Sequence, residues 1–251
     1  MIIPEAAWTQ YIEALAKVDR SATERMQKYI DTHAIDSEET IREMVGYAFG
    51  ISTYYGEAAA ELAAEMYDVL SGDDYEPAEP AETSSLSYIE KAVRGALKAA
   101  PYGVLVAGAV GRAVRLAGQN TVLRNAIRDG AEVAWIPHGD TCPFCIMLAG
   151  EGWKRAYPST LKDGNARHVH AHCDCAYAIR HNEETEYRGY NPSRYQMMYA
   201  NADGVTEEDK LNALRRKFYA ENKERINAQK RDAYERRKAL EASAAEETDA
   251  T

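Results

Sequence analysis

No stretch of this sequence reaches the ~18–20 consecutive apolar residues that a membrane-crossing helix requires. Its most apolar run, Val104 to Val110, is short and is punctuated by Gly103, Gly108 and Gly111. The first residues, Met1-Ile2-Ile3-Pro4-Glu5, have neither the basic nor the apolar region of a secretory signal, so synthesis and folding are expected in a reducing cytoplasm. Phosphate-binding loops, dinucleotide fingerprints and Gly-x-Ser-x-Gly elbows are also missing. A basic surplus is absent too. The net charge of -10 argues against a protein that coats nucleic acid with its whole surface, and leaves room for a local basic patch. Phenylalanine and tryptophan are scarce, three of each against seventeen tyrosines. Tyrosine joins an apolar ring to a hydroxyl, which suits partly wet packing and protein–protein surfaces as well as a tyrosine-rich core. Cysteine is equally scarce, with four in 251 residues, and all four fall between positions 142 and 175.

What is present is mostly helical pattern. Hydrophobic residues make up 45% of the chain, enough for a folded core, and the length allows one to two domains. Trp8, Tyr11, Ile12, Leu15 and Val18 share one helical face, continued by Met26, Tyr29 and Ile30 and broken at Asp31 to Asp36. Ser37, followed by Glu38 and Glu39, is a good N-cap. Behind it, Ile41, Met44, Val45, Ala48 and Phe49 and then Leu62, Met66, Val69 and Leu70 give a second stripe. Gly46, Gly50 and Gly56 weaken that helix, and predict either a break near Gly56 or close helix–helix approach there. Residues 1–70 thus read as a helical hairpin. Residues 71–85, with Gly72, Pro77, Pro80 and five acids, read as a linker with almost nothing to bury, separating the hairpin from the rest.

A helix is expected from Leu86 to Ala99, and another from Pro101 to about Arg128, with Gly118 a candidate interruption. Beyond Gly130, Glu132 to Ile136 reads as a strand stopped by Pro137, and Ala176 to Ile179 as a second. Helix resumes near Pro192. Thr206, with Glu207, Glu208 and Asp209 behind it, caps an expected long charged helix to about Ala242, followed by a small acidic tail, Ser243 to Thr251. Arg and Lys outnumber acids on that helix. It reads either as a solvated face laced with ion pairs or as a face that meets DNA phosphates without sequence preference.

The chemistry concentrates in Cys142-Pro143-Phe144-Cys145 and Cys173-Asp174-Cys175, with His138, His168, His170 and His172 in the same stretch. A Cys-x2-Cys pair aims two thiolates at one point, and a second cluster about thirty residues on completes a tetrahedral zinc site. Closing that loop with metal compensates for a core too small to hold the module alone. If the chain is extended at Cys173 to Ala176, both of its cysteines face one way and a four-cysteine site follows. If it turns after His170, a three-cysteine, one-histidine site follows. The candidate ligands are therefore Cys142, Cys145, His170, Cys173 and Cys175, preferred over His172. A disulfide pair suits a cytosolic chain poorly. A redox Cys-x2-Cys would leave Cys173 and Cys175 without a role. A catalytic zinc needs an open position and a nearby base, for which His168 and Asp174 are the available groups, but no His-x-Glu precedes Pro143 as in the zinc deaminases.

Read in order, Asn120-Thr121-Val122, Trp135, Thr141-Cys142-Pro143-Phe144-Cys145-Ile146-Met147-Leu148-Ala149 and His170-Ala171-His172-Cys173-Asp174-Cys175 resemble the zinc-containing module of phage minor head proteins similar to the F protein of phage Mu. The resemblance covers about Val114 to Ile179. It departs where Gly150-Glu151-Gly152-Trp153 follows Met-Leu-Ala and where His172 replaces the usual Asn or Asp. It implies a virion component in the phage head, made in the host bacterial cytoplasm, that contacts portal or capsid proteins, with packaged double-stranded DNA a further candidate partner.

The expected architecture is mainly α with a small zinc-stabilised α+β module. It comprises a helical region 1–70, a linker 71–85, helices plus the zinc module over 86–190, and a charged helix and tail over 191–251. The expected function is a non-enzymatic head protein with structural zinc, with no membrane or small-molecule substrate. The alternatives are a zinc-ribbon-like nucleic-acid-binding module and a zinc-dependent nuclease or hydrolase.

Overall fold

The computed structural model describes residues 1–99, 102–138, 141–162, 165–166, 169–170, 173–228, 231–232, 234–235 and 238. Helix dominates, as expected. Helices α1 (Glu5–Thr32) and α2 (Glu38–Ser71) form the N-terminal hairpin. On α1 the expected stripe turns inward: Trp8, Ile12, Met26 and Ile30 are buried. Ser37 opens α2 with a capping box, its Oγ accepting from the Thr40 N–H at 3.2 Å while Thr40 Oγ1 accepts from the Ser37 N–H at 3.1 Å.

Helix α2 runs through Gly56 without a break, so close approach is the outcome of the two expected there. A Cβ at Gly56 would stand 2.9 Å from Thr83 Cγ2 and 3.6 Å from Ala117 Cβ. Gly46 and Gly50 face open space and cost up to ~1 kcal/mol each. The same turns bury Met44, Val45, Ala48 and Ile51, and a fully buried large aliphatic side chain stabilises by about 1.5–3 kcal/mol, so packing outweighs propensity.

Short helix α3 (Leu86–Ala96) begins on Ser85, whose hydroxyl accepts from the Tyr88 N–H. Helix α4 (Tyr102–Asp129) is the axis of the molecule and is not interrupted at Gly118, where a Cβ would meet the Ala59 carbonyl at 3.1 Å. Its first half shares one core with α1, α2 and α3, including Met26, Met44, Ile89, Val93, Val110 and Val114. Its second half packs Leu116, Val122, Leu123 and Ala126 against Tyr67, Val133, Trp135, Ile179 and the cysteines. The helix ends where the sequence changes texture. Gly130 adopts φ +69°, and the Ala131 N–H reaches back to the Ala126 carbonyl at 2.9 Å, a Schellman-type termination.

The segment 71–85 differs from expectation. Beyond Ser71, the last residue of α2, it lacks regular structure apart from one 3₁₀ turn at Gly72–Asp74, but it is a docked strap and not a solvated tether. Glu79 exchanges two hydrogen bonds with Asn125, its N–H donating to Oδ1 and its carbonyl accepting from Nδ2, both at 3.0 Å. The Ala81 N–H donates to Thr121 Oγ1 at 2.9 Å, and Ala81 is buried. Acidic composition signalled the lack of hydrophobic driving force; it could not reveal partners forty or more residues away in α4. The hairpin is thus joined to the central helices through a common core.

After α4 comes β2 (Glu132–Ile136), the expected strand, then α5 (Pro143–Gly150), β3 (Lys154–Arg155), β4 (Leu161–Lys162), β5 (Asn165–Ala166), β6 (Ala176–Arg180) and β7 (Glu186–Tyr187). Strand β2 is the centre of a three-stranded antiparallel sheet, order β3-β2-β6, with Trp135 opposite Tyr177 and Glu132 opposite Arg180. Strands β4 and β5 pair antiparallel, and β7 pairs in parallel with the N-terminal β1 (Ile2–Ile3). The chain closes with α6 (Pro192–Ala200) and α7 (Glu207–Glu221).

Thr206 caps α7 with a box closed by Asp209, as expected, but the long helix is interrupted. The Asn222 side chain donates to the Phe218 carbonyl at 2.9 Å, competing with the helical ladder, and residues 223–228 are helical again beyond it. The tail Ser243 to Thr251 and most of the expected basic stretch after residue 228 lie outside the described residues.

Candidate metal centre

Cys142 is the N-cap of α5, and Pro143 fills its first position, where a missing N–H costs nothing. Cys145 then sits one turn in. Both sulfurs therefore gather at the positive end of a helix, which favours thiolates. Two of the downstream donors, Cys173 and Cys175, arrive on an extended segment. Cys173 and Cys175 are buried and Asp174 between them is exposed, the alternation that extended backbone imposes.

All five candidate ligands meet. His170 Nε2 lies 3.5 Å from Cys142 Sγ and 3.4 Å from Cys145 Sγ, and Cys145 Sγ lies 3.3 Å from Cys173 Sγ. Two overlapping groups, Cys142/Cys145/His170 and Cys145/Cys173/Cys175, keep their donor atoms within 4.8 Å of one another and share Cys145. The four cysteines are free thiols. In a tetrahedral zinc site the bond lengths imply about 3.5 Å between nitrogen and sulfur and about 3.8 Å between two sulfurs. The nitrogen–sulfur distances match and the sulfur pair is somewhat closer, so these soft donors fit a thiophilic divalent ion and could hold one. Phe144 packs edge-on against the His170 ring, with centroids 5.8 Å apart. His168 and His172 lie outside the described residues.

Without an ion the donors must divide charge among themselves. Hydrogen bonding from Cys145 first, and then from His170 against the opposing effect of burial, brings the Cys142 thiol down to about 5. Cys145 and then Cys175 likewise hold the Cys173 thiol low. Cys145, caught between Cys142, Cys173 and Cys175, is pushed up. Cys175 is also raised: the hydrogen bond with Cys145 opposes this, and Cys173 together with burial prevails. His170 is raised to about 10 by its hydrogen bonds to Cys142 and Cys173, which outweigh burial. Neighbouring donors are thus shifted in opposite directions, and a divalent cation would let the bound donors ionise or turn neutral together.

One face of α4 holds the downstream segment at four described points. Arg112, Arg115, Gln119 and Asn120 stand at helical spacings of three, seven and eight. Arg112 Nε donates to the Val169 carbonyl at 2.8 Å, beside His170. Arg115 Nη2 donates to Asp174 at 3.3 Å, between the two cysteines. Gln119 accepts from the Tyr177 N–H at 2.9 Å, satisfying an edge of β6, and Asn120 accepts from the Ala166 N–H at 2.7 Å. Of these four only Asn120 entered the sequence reading. The available signal was polar residues at helical spacing within a run of Ala, Val, Leu and Gly.

The VG15 protein family matches residues 2–202, which span everything from β1 through α6, including all five donors. The chain belongs to the VG15 protein family. That family is one of viral or phage gene proteins, which fits a phage protein. No curated protein and no solved structure matches the chain. In this VG15 protein no helix among the described residues is long and apolar enough to cross a membrane.

Proposed function

We propose that this VG15 protein is a minor head protein of a phage: a virion component that makes protein contacts near the portal or capsid interior and performs no catalysis. The five-donor cluster is read as a structural zinc site. The observation that carries this reading is its enclosure. Cys145, Cys173 and Cys175 are 0%, 8% and 6% exposed, Cys142 and His170 are half-buried, and the downstream segment is tied to α4 at four described points. A closed set of soft donors suits an ion that staples a fold, whereas a catalytic ion keeps a position open for water or substrate. Asp174, the carboxylate considered as a base, is exposed between two buried cysteines and engaged by Arg115. Family membership supports the phage setting, and the resemblance to Mu-type minor head proteins supplies the location.

The test is to purify heads from a phage encoding this chain and ask whether it copurifies at fixed stoichiometry after washing in high salt. Retention in heads, and loss of retention when the cluster cysteines are replaced, is the expected outcome. Absence from assembled heads contradicts the proposal. Exposed Arg215, Arg216 and Lys217 on α7 favour a DNA contact as a second reading. Binding would then weaken steeply with salt and show no sequence preference.

A further inference from the structure

Asp19 is a charged residue in the middle of the apolar face of α1, close to Ile12, Ala22 and Met26 in the helical pattern, and it is buried. A carboxylate in that place must be paired. Its partner is Arg115 of α4, which contacts it closely; both side chains are 12% exposed. Gly111, one turn before Arg115, makes the room: a Cβ there would lie 2.4 Å from Asp19 Oδ1 and 2.7 Å from Thr23 Oγ1. The same guanidinium nitrogen, Nη2, also reaches Asp174 Oδ1 at 3.3 Å. One cation therefore joins the first helix of the hairpin to the residue between Cys173 and Cys175.

The pair has nothing in reserve. Asp19 Oδ1 and Arg115 Nη1 are buried and make no hydrogen bond with the described residues. The orientation of the guanidinium rests on the two carboxylates it shares, and one of them is placed by the extended segment that presents the cluster sulfurs. A bound ion would fix Cys173 and Cys175, and with them Asp174.

We propose that Arg115 is a positioning residue through which occupancy of the cluster sets how firmly α1 is docked on α4. This rests on the reading of the cluster as a metal site. In the occupied state Asp174 holds Arg115 in register with Asp19, and the hairpin is locked. When the ion leaves, the Cys-x-Cys segment relaxes, Arg115 loses one of its two carboxylates, and the α1 turns around Asp19 open more readily. Coupling between sites is reciprocal, so weakening the Asp174–Arg115 link also weakens retention of the ion. The consequence is a hairpin able to report whether the module is loaded, a property suited to an assembly component that must not be incorporated half-folded.

The test is amide hydrogen exchange of the full chain, zinc-loaded and chelator-stripped, in wild type, Asp174→Asn and Asp174→Glu. Asp174 is 45% exposed in its side chain, so neither substitution strands a buried group. The expected result in wild type is exchange over residues 15–26 that rises at least about fivefold on stripping, the lower bound of ordinary allosteric coupling. Asp174→Asn should lose that response and bind zinc about tenfold more weakly in chelator competition, as outer-shell partners commonly do. Asp174→Glu should restore much of both. If wild type binds no zinc, the reading of the cluster fails and the inference with it. If wild type binds zinc but α1 exchanges equally in both states, only the inference is overturned. An equal response in Asp174→Asn overturns the route through Arg115.

Discussion

At the scale of single residues, the side chains that decide this fold are polar ones in apolar surroundings. Tyr67 is fully buried, and its hydroxyl donates to Asp129 Oδ2 at 2.8 Å, while Arg128 clasps the same carboxylate at 2.7 Å. Burial raises the Asp129 carboxyl, and the hydrogen bonds from Arg128 and Tyr67 outweigh it, so the net shift is downward. A carboxylate held below its unfolded value near ~4 contributes stability that is present above that pH and is lost as pH falls through the folded value. Asp129→Asn should therefore lower the urea midpoint by a constant amount above about pH 5, with the difference from wild type shrinking below about pH 4. A difference that grows toward acid would contradict this sign. Tyr67→Phe removes a hydrogen bond to a charged acceptor and should cost about 1.5–3 kcal/mol in equilibrium denaturation. Tyrosine occupies both settings: Tyr67 and Tyr187 are core residues with bonded hydroxyls, while Tyr54 and Tyr157 are exposed.

At the scale of elements, α1, α2 and β2 were legible because their signals are local. Apolar stripes at 3.6-residue spacing, Ser37 and Thr206 with their capping partners, and Pro137 after a β-rich run all act within a few residues of where they are read. Strands β1, β3, β4, β5 and β7 were not legible, since two residues each are too short for alternation to register. The helical nature of Cys142 onward was missed for another reason: a Cys-x2-Cys turn and a helix N-terminus carry the same short-range signal. The strap and the polar face of α4 are long-range arrangements, with partners forty to sixty residues apart that no window can see. That face yields an element-scale prediction. Gln119→Leu keeps the bulk but orphans the Tyr177 N–H, and should cost about 1–3 kcal/mol while increasing exchange along β6. Ser37→Ala, by comparison, removes only a cap and should cost about 1 kcal/mol without affecting metal binding. Thermal and chemical denaturation of the two variants, read beside zinc affinity, separates suspension of the site from general stability.

At the scale of the whole molecule, one helix organises two tasks. The first half of α4 collects α1, α2 and α3 into a helical core, and the second half carries the strap on one side and the cysteine-bearing module on the other. The module itself is thin: an eight-residue helix, a five-residue central strand and short pairs, with four cysteines and an imidazole at its centre. The gathering of the five donors was readable from sequence because residue type and spacing name the chemistry. Their suspension from α4 was not, because it depends on how a remote helix face meets an irregular segment.

The central claim is that four of these five donors grip one ion and that the module depends on it. The most direct measurement is metal content of the purified full chain by elemental analysis, with far-ultraviolet circular dichroism before and after chelation, in wild type and in Cys145→Ser, the variant that removes the donor common to both groups. About one zinc per wild-type chain, partial loss of structure on chelation and no stoichiometric zinc in Cys145→Ser are the expected results. A well-folded wild-type chain that carries no metal, and whose spectrum and unfolding midpoint are the same with chelator as with added zinc, would contradict the account.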